Sequence, residues 1–498
     1  MTNLIHHWVD GKVMAGTSGR LGPVYNPALG AQTGAVDMAS VQEVDDAVRS
    51  AVRAQDGWRR TSLAKRATVL FNMRDLVETN RKDLAALVTA EHGKTSEDAL
   101  GEVSRGLENL EFACGIPHLL KGSFSEEVAT GVDVYSVRQP VGVMAGITPF
   151  NFPVMVPMWM FSTAIACGNA FVLKPSEKDP SPSLFLAELW QRAGLPAGVF
   201  NVVQGDSLAV SRILGHPDIA GVSFVGSTQV ARHVYETAAA HGKRVQALGG
   251  AKNHMVVLPD ADVEVAADSA ISAGYGSAGE RCMAVSVVVA VGPVADPLVK
   301  AITYRVNKIR VGPGDDPASD MGPLVTAEHR DRVLSYMEQG ALGGASVVVD
   351  GRRTAVPASG FYLGPSLLDH VRPSCPAYDD EIFGPILCVI RVATFDEAIS
   401  LVNQGQYGNG VALFTRDGGA ARRFQFEVQA GMVGINVPIP VPVSYYSFGG
   451  WKGSLFGDTH IYGPDGIRFS TRGKVVTSRW PGPSPTGVDF GFLTPAES

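Results

Sequence analysis

The sequence has few cysteines, and they form no recognisable metal or disulfide pattern. Five cysteines occur in 498 residues, at positions 114, 167, 282, 375 and 388, without a CxxC pair. An odd number at such wide spacing indicates neither a disulfide framework nor a zinc site. The 11 histidines are spread along the chain and no HExxH motif occurs. We therefore predict that the protein uses no metal.

Basic runs and long hydrophobic runs are also missing. The formal net charge is -7 and no arginine-rich block could neutralise phosphates, so we expect no nucleic-acid partner. The most apolar run, 154–167, contains Pro157 and is shorter than the about 20 residues that cross a membrane. Residues 1–13 lack the features of a signal peptide. We expect a cytoplasmic protein whose mature chain begins where the gene does.

The remaining composition is that of a globular protein, with 45% hydrophobic and 18% charged residues, and the length suggests two or three domains. The first 120 residues are predicted to be helical, and Ser40 and Glu43 form a capping box for one helix. After about residue 137, short apolar strands alternate with helix-length segments, which predicts parallel sheets wrapped by helices. The predicted strands are 141–147, 171–173, 200–203, 222–225, 255–258 and one starting at Val285. A boundary between two α/β domains is expected at 249–252.

Two glycine motifs are rejected because their context is wrong. Residues 274–279 match GxGxxG but follow a helical stretch and precede a strand, the reverse of a dinucleotide-binding turn. Residues 93–95 imitate the end of a P-loop, but Val88 stands where its first glycine would be.

Cys282 is the candidate nucleophile. It ends a run of small residues, 274–282, directly before the apolar stretch 285–291. A thiolate is a strong nucleophile, and the neighbouring Arg281 is expected to favour it. The alternative is that Cys282 is a small buried hydrophobe, the role we expect for Cys167 and Cys388.

Two strand ends offer candidate nucleotide contacts. Gly226, Ser227 and Thr228 follow a strand and open a helix, whose free N–H groups and dipole would suit a pyrophosphate. The alternative is that Ser227 or Thr228 only caps the helix. Lys174 and Glu177 follow another strand and could bind ribose hydroxyls.

These residues belong to a set of motifs that resembles the aldehyde dehydrogenase superfamily over nearly the whole chain. The motifs are 149–153 (PFNFP), 174–177 (KPSE), 224–228 (FVGST), Cys282 and 381–385 (EIFGP). The resemblance implies an α/β fold with a Rossmann-like NAD domain, a catalytic α/β domain and a small β bridging element that builds dimers or tetramers. The implied ranges are 1–120 and 138–248 for the NAD domain, 249–446 for the catalytic domain, 121–137 and 465–488 for the bridging element, and 489–498 for a tail.

The closest resemblance is to the CoA-acylating methylmalonate semialdehyde dehydrogenase branch, which also acts on malonate semialdehyde. It is carried by segments 105–109, 249–254, 281–284, 437–442 and 452–458, with Tyr462 and Gly463. By this resemblance Arg105 and Arg281 bind a substrate carboxylate, and Phe152 also contacts the substrate. From the residues alone, Arg105 could instead pair with Glu102 or Glu108, and Arg281 could face solvent.

The chemistry expected from this resemblance begins with attack by Cys282 on the aldehyde. The resulting alkoxide needs donors, for which we expect the Asn151 side-chain amide and the Cys282 main-chain N–H. The cofactor-binding residues implied by the resemblance are Phe150, Lys174, Glu177, Ser227, Glu381 and Phe383. A carboxylate at Glu177 would repel a 2′-phosphate, so NAD is expected rather than NADP. Ala231, where many relatives have glycine, leaves the cofactor pose open.

The possible functions differ in which molecule accepts the acyl group from the Cys282 thioester. Hydrolytic relatives carry a glutamate base where this chain has Ala247, so we expect coenzyme A, not water, as the acyl acceptor. Loss of CO₂ from the malonyl-type thioester would then give propionyl-CoA or acetyl-CoA. Glu280 remains a possible substitute base. The alternatives are a hydrolytic dehydrogenase that releases a free acid, and a non-catalytic NAD-binding protein. The physiological semialdehyde, and a pathway of valine, β-alanine or inositol breakdown, stay open.

Overall fold

The computed structural model describes residues 3–480, which form 23 strands and 16 α-helices. The predicted tail 489–498, and the end of the 465–488 segment from Pro481 onward, lie outside the described residues. The strands are β1 (Asn3–Ile5), β2 (His7–Val9), β3 (Lys12–Met14), β4 (Leu21–Asn26), β5 (Ala31–Asp37), β6 (Phe124–Ala129), β7 (Val132–Pro140), β8 (Val143–Ile147), β9 (Ala170–Lys174), β10 (Phe200–Val202), β11 (Ile219–Val225), β12 (Arg244–Leu248), β13 (Asn253–Val257), β14 (Val285–Val291), β15 (Ser346–Val349), β16 (Ser366–Asp369), β17 (Ile386–Val392), β18 (Tyr407–Gly408), β19 (Gly410–Phe414), β20 (Met432–Ile435), β21 (Trp451–Lys452), β22 (Leu455–Phe456) and β23 (Thr471–Arg479). The helices are α1 (Val41–Arg60), α2 (Leu63–Thr79), α3 (Arg81–His92), α4 (Ser96–Cys114), α5 (Ile116–Leu119), α6 (Met155–Ala166), α7 (Ser181–Arg192), α8 (Ser207–Gly215), α9 (Thr228–Ala240), α10 (Val263–Tyr275), α11 (Ala295–Val306), α12 (Ala327–Leu342), α13 (Pro376–Asp379), α14 (Phe395–Gln404), α15 (Gly418–Glu427) and α16 (Gly463–Ser470).

The first large sheet has eight strands in the order β22-β12-β11-β8-β9-β10-β2-β3. Strands β12, β11, β8, β9 and β10 pair in parallel, whereas β22, β2 and β3 are antiparallel. Strands β8, β9 and β10 are buried at every residue, as expected for a parallel sheet covered on both faces. Helices α6 and α7 link these three strands in sequence, which is the predicted alternation.

The second large sheet has seven strands in the order β15-β16-β17-β14-β13-β19-β20 and is parallel except for β15. The chain passes from the first sheet to the second between Leu248 and Asn253. A broad apolar core surrounds the second sheet. The predicted α/β fold class is confirmed, and the division into domains stays a prediction.

The prediction that the first 120 residues are helical is wrong for residues 3–37, which form β1 to β5. These strands are only three to seven residues long and several of their residues are exposed, so they present little hydrophobic periodicity. The predicted capping box is confirmed, because the Glu43 N–H donates to Ser40 Oγ at 3.3 Å and the Ser40 N–H donates to Glu43 Oε2 at 2.7 Å.

A separate three-stranded antiparallel sheet, β23-β7-β6, falls largely in the segments predicted to bridge subunits. Most residues of β6 and β23 are exposed, including Phe124 (64%) and Val475 (69%). This sheet therefore presents apolar side chains to its surroundings.

The rejected motifs and the apolar run lie where the sequence context suggested. Gly93 is the left-handed C-cap of α3, and Thr95 caps α4. Residues 274–279 end α10 and form a 3₁₀ turn before β14. The apolar run forms the buried helix α6. Within residues 3–480, no helix is both long and apolar enough to span a bilayer, and no group of three or more His, Cys, Asp or Glu side chains could hold a metal ion.

Candidate active site

A strained turn presents Cys282. Ser277, Ala278 and Gly279 adopt left-handed backbone conformations in succession, with φ of 52°, 53° and 76°. This conformation costs roughly 1–2 kcal/mol for each non-glycine residue. A Cβ on Gly279 would collide with the Gly384 carbonyl. The Ser277 N–H donates to Asp98 Oδ2 at 3.0 Å, so a residue of α4 stabilises the turn.

Two asparagine side chains hold the main chain at Cys282. Asn253 Nδ2 donates to the Cys282 carbonyl at 2.9 Å, and Asn409 Nδ2 donates to the same oxygen at 3.2 Å. Cys282 is partly exposed, whereas Cys167 and Cys388 are buried as predicted. The thiol is therefore presented from a fixed backbone.

A cavity of about 210 Å³ brings together six of the predicted residues. It lies beyond the carboxyl ends of β8 and β11, the edge at which α/β sheets bind ligands. Its lining residues are Pro149, Phe150, Asn151, Lys178, Val225, Gly226, Ser227, Gly249, Cys282, His329, Arg332, Glu381 and Phe383. The sequence analysis missed Lys178, His329 and Arg332, which belong to no quoted motif.

A buried ion pair supports the loop that carries Asn151. Lys94 Nζ lies 2.8 Å from Glu102 Oε2 and donates to the Asn151 carbonyl at 2.6 Å. Glu102 Oε1 accepts from the Val154 N–H at 2.8 Å. The Asn151 side chain donates to the Glu280 carbonyl at 3.1 Å, which joins its loop to the Cys282 turn. The sequence analysis missed Lys94 as a support, because it had appeared only in the false P-loop.

The start of α9 has no side-chain cap. Ser227 occupies the N-cap position but makes no capping hydrogen bond, and Thr228 Oγ1 accepts from the Gly250 N–H at 2.9 Å instead. The alternative that one of these hydroxyls caps the helix is therefore wrong. Amide groups of the first turn stay available for an anion. Ala231 is fully buried on the core face of α9.

Lys174 and Glu177 form an ion pair, with Nζ and Oε2 3.1 Å apart at the end of β9. Burial raises the pKa of Glu177. The Lys174 ammonium and several smaller contributions lower it by more, so the pKa is lowered overall. The structure thus provides an ionised carboxylate at this strand end. Neither residue lines the cavity that contains Cys282.

Arg281 favours the Cys282 thiolate as expected, but only weakly, and the pKa of the thiol is raised overall in the free protein. Burial raises the pKa of Cys282 to about 12, and the Glu381 carboxylate adds to the rise. Main-chain N–H groups at Cys282 and Met283 oppose it, and Arg281 opposes it least. The Arg281 guanidinium is already paired with Asp98, which reduces its effect on the sulfur.

Both predicted carboxylate-binding arginines are paired within the protein. Arg105 Nη1 lies 2.8 Å from Glu108 Oε2, which confirms one alternative drawn from its helix. Arg281 pairs with Asp98, so the alternative that it only faces solvent is wrong. Arg105 Nη2 also donates to the Val441 carbonyl at 3.3 Å.

Arg105, Arg281 and Phe152 do not line the cavity. Arg281 directly precedes Cys282 in the chain, and Phe152 and Cys282 pack against the same apolar cluster. Burial raises the pKa of Tyr462, and the charges of Arg105 and Cys282 both act on it, the first lowering and the second raising that pKa.

The two positions that concern a general base do not face the cavity. Ala247 is fully buried in β12, where it pairs with Phe224 and Phe456. Glu280 is also fully buried, and its Oε1 accepts from the Val325 N–H at 3.3 Å. Neither residue lines the cavity.

One carboxyl group and one imidazole line the cavity, those of Glu381 and His329. Burial raises the pKa of Glu381 to about 7, and its Oε1 accepts from the Ala251 N–H at 2.9 Å. Burial lowers the pKa of His329 to about 4, and its Nε2 lies 2.7 Å from the Phe383 carbonyl. His329 is therefore neutral near pH 7.

A single thiol on a fixed turn, an adjacent amide donor and an uncapped helix start define a thiol-dependent enzyme built on a nucleotide-binding sheet. The aldehyde dehydrogenase family model matches residues 13–476. The chain belongs to the aldehyde dehydrogenase family, as the sequence motifs predicted.

Relatives similar to this chain cover almost its full length. It is 52% identical over 480 residues to a malonate-semialdehyde dehydrogenase of Pseudomonas aeruginosa, an alignment that covers 96% of each protein. It is 52% identical to the crystal structure of a methylmalonate-semialdehyde dehydrogenase from Oceanimonas doudoroffii, with a TM-score of 0.95 and coverage of 97% and 99%. A crystal structure from Sinorhizobium meliloti 1021 in complex with NAD is 53% identical, with a TM-score of 0.96 and the same coverage.

Proposed function

We propose that the protein catalyses NAD-dependent, CoA-acylating oxidation of methylmalonate semialdehyde or malonate semialdehyde, with loss of CO₂. The products are propionyl-CoA and acetyl-CoA. The names of the similar proteins from Pseudomonas aeruginosa and Oceanimonas doudoroffii support this substrate class. The observation that carries the proposal is the residue type at position 247 in β12: the sequence resemblance implies that hydrolytic relatives carry a glutamate base there, and alanine cannot accept a proton.

The residues of the first sheet fit NAD, which accepts the hydride when bound. The uncapped start of α9 suits the pyrophosphate, and the ionised Glu177 suits a ribose hydroxyl pair and disfavours a 2′-phosphate. Phe150, Glu381 and Phe383 line the cavity beside Cys282, where they would contact the nicotinamide and its ribose. The similarity to the NAD complex from Sinorhizobium meliloti supports this assignment.

Acylation uses Cys282 and Asn151. The sulfur attacks the aldehyde carbon, and the thiol proton leaves to solvent. The developing alkoxide accepts hydrogen bonds from the Asn151 amide and the Cys282 main-chain N–H. Departure of the hydride restores the carbonyl and leaves a thioester on Cys282. Because burial raises the pKa of the thiol in the free protein, we expect the proton to leave as the sulfur attacks or after the ligands have bound.

In this proposal Arg105 and Arg281 bind the substrate carboxylate. Each guanidinium has five N–H donors and keeps some of them while paired with its carboxylate, Glu108 or Asp98. A charge-assisted pair contributes about 1.5–3 kcal/mol, which separates a semialdehyde acid from a neutral aldehyde.

Decarboxylation follows from the position of that carboxylate. It lies β to the thioester carbonyl, so breaking the carbon–carbon bond releases CO₂ and leaves an enolate on the acyl group. The donors at Asn151 and Cys282 stabilise the enolate oxygen until the carbon is protonated. In acyl transfer, the thiolate of CoA attacks the thioester carbonyl, the acyl group moves to CoA and Cys282 leaves as a thiolate.

One observation favours hydrolysis as the second candidate. Glu381 lines the same cavity as Cys282 and has a pKa of about 7, which suits a general base. In our proposal Glu381 contacts the nicotinamide ribose instead. Glu381→Gln should then weaken NAD binding and leave acyl transfer to CoA intact, whereas the hydrolytic hypothesis predicts a trapped thioester.

The direct test is NADH formation from malonate semialdehyde with and without CoA, with the products identified by mass spectrometry. We expect fast turnover and acetyl-CoA only when CoA is present. Fast turnover without CoA, with release of free acid, would reject CoA acylation in favour of hydrolysis. Absence of NADH under every condition would favour a non-catalytic NAD-binding protein.

We also propose a homo-oligomer, a dimer or a tetramer, in which the β23-β7-β6 sheet contacts a second copy. The exposed apolar residues of this sheet, Phe124 and Val475 among them, support the proposal. Mass measurement by light scattering tests it, and a monomer at micromolar concentration would reject it.

A further inference from the structure

A cluster of three titratable side chains lies at the cavity wall: His329 lines the cavity, and Glu280 and His92 do not. Glu280 Oε1 is 3.5 Å from His329 Nε2, and Glu280 Oε2 is 3.8 Å from His92 Nε2. Glu280 and His92 are completely buried. Within the described part of the chain, Glu280 Oε2 and both ring nitrogens of His92 have no hydrogen-bond partner. We call these three residues the Glu280 cluster.

The Glu280 cluster contacts three residues of the cavity wall. The Glu280 carbonyl accepts from the Asn151 amide at 3.1 Å, and His329 Nε2 lies 2.7 Å from the Phe383 carbonyl. The Phe150 ring lies between the two imidazoles, with centroid distances of 6.0 Å to His92 and 6.2 Å to His329. A change in this cluster therefore reaches the residues proposed to contact the oxyanion and the nicotinamide.

We propose that Glu280 is a positioning residue for the nicotinamide pocket. When Glu280 is neutral, the His329 N–H donates to the Phe383 carbonyl. When Glu280 is ionised, the same N–H donates to its carboxylate instead, and the hydrogen bond to Phe383 is lost. The proposal rests on NAD binding at this cavity, as set out under the proposed function. We propose this role instead of that of a substitute base, because Glu280 does not line the cavity that contains Cys282.

The geometry allows only one of the two hydrogen bonds at a time. His329 is neutral near pH 7, so its Nε2 carries one hydrogen when it donates to the Phe383 carbonyl. That nitrogen is also the imidazole nitrogen nearest to Glu280. An ionised, buried carboxylate needs a donor, because an unpaired buried charge is costly. Ionisation of Glu280 therefore competes with Phe383 for the same hydrogen.

The charged groups around Glu280 come from several elements. Burial raises its pKa to about 8, and the Val325 N–H, Lys178 and Lys94 oppose this rise. Lys94 is already paired, and Lys178 lies over the Phe150 ring at 4.6 Å. The pKa values of both histidines are lowered, which keeps them neutral above pH 6. Within the cluster, only Glu280 changes charge between pH 7 and 9.

The test is calorimetric titration of NAD into the wild-type protein and Glu280→Gln between pH 6.5 and 9.5. The wild-type Kd should rise through pH 8 about two- to tenfold more than the variant's Kd, the factor expected for one lost hydrogen bond. Glu381 also titrates in this range, but it is common to both proteins, so the difference between them isolates Glu280.

His329→Leu provides a second variant, which keeps the test possible if Glu280→Gln fails to fold. It lacks the shared hydrogen, so it should lose the same pH-dependent step. An unchanged wild-type pH dependence in either variant would overturn the proposal. The proposed function would be overturned by a different result, namely that the wild-type protein binds NAD but forms no NADH from semialdehydes. Absence of NAD binding by the wild-type protein would overturn both.

Discussion

The cavity at Cys282 and the two arginines proposed to bind the substrate carboxylate differ in how far their polar groups are already engaged. Phe150, Ser227 and Phe383 line an open cavity, and α9 starts without a cap. Arg105 and Arg281, in contrast, are each paired with a carboxylate of the protein itself. The cavity proposed for the cofactor is thus formed in the free protein, whereas the proposed carboxylate-binding arginines have to share or exchange their charges. We therefore expect substitutions in the cavity and at the arginines to change different kinetic constants.

The largest effect is expected for Asn151→Ala. Removing one oxyanion donor should lower kcat about a hundred- to a thousandfold, as measured by steady-state NADH formation. The Lys94 contact involves the Asn151 main-chain carbonyl and is kept, but the side-chain hydrogen bond to the Glu280 carbonyl is lost, so the thermal midpoint should fall slightly. A loss below about tenfold would show that Asn151 is not an oxyanion donor.

The next largest effect is expected for the pH dependence of Cys282 alkylation, which tests the pKa of the thiol at the cavity. With a thiol pKa near 12, the rate of Cys282 alkylation by iodoacetamide in the free protein should rise about tenfold per pH unit, or about a hundredfold from pH 7 to 9. Mass spectrometry measures the labelled peptide, and Cys282→Ser is the control. A rate that levels off below pH 8 would contradict the raised pKa of the Cys282 thiol.

Arg105→Gln tests whether an arginine that is paired within the protein also binds the substrate carboxylate. We expect the KM for malonate semialdehyde to rise about ten- to a hundredfold, the factor of one charge-assisted pair, with little change for a neutral aldehyde of similar size. Glu108→Gln is the matched control, because it frees Arg105 from its partner, and it should leave that KM unchanged or lower it. Equal effects of Arg105→Gln on both substrates would contradict a carboxylate-binding role.

The smallest effect concerns stability. The folded pKa of Glu280, about 8, lies above its ordinary value of 4.5, so Glu280 contributes stability that is fully present below pH 4.5 and is lost as pH rises through 8. Glu280→Gln removes this loss. The difference in thermal midpoint, variant minus wild type, should therefore become more positive by about 2–5 °C as the pH rises from 5 to 9. A pH-independent difference would show that Glu280 does not fold as a neutral acid.

The sequence allowed prediction of features that depend on local patterns. Continuous apolar runs predicted the parallel strands, and β14 begins and ends where the run 285–291 does. Small residues before Cys282 predicted a presented thiol, and the turn Ser277–Gly279 provides it. Strand ends predicted where ligand-binding groups would gather.

Features that depend on distant partners could not be predicted. The partner of Arg281 is Asp98, 183 residues away in the chain, and no local spacing relates them. His92, Glu280 and His329 meet only because α3, the Cys282 turn and α12 pack together. The strands of residues 3–37 were missed for another reason, since segments of three to seven residues with exposed positions show no clear period.

The most direct measurement of the central claim is a rapid-mixing experiment with enzyme, NAD and malonate semialdehyde in the absence of CoA. The account predicts a burst of one NADH per active site followed by slow turnover, because the acyl group stays on Cys282 without a base to activate water. Later addition of CoA should restore fast turnover and yield acetyl-CoA. Continued fast NADH formation without CoA, with no burst, would contradict the account.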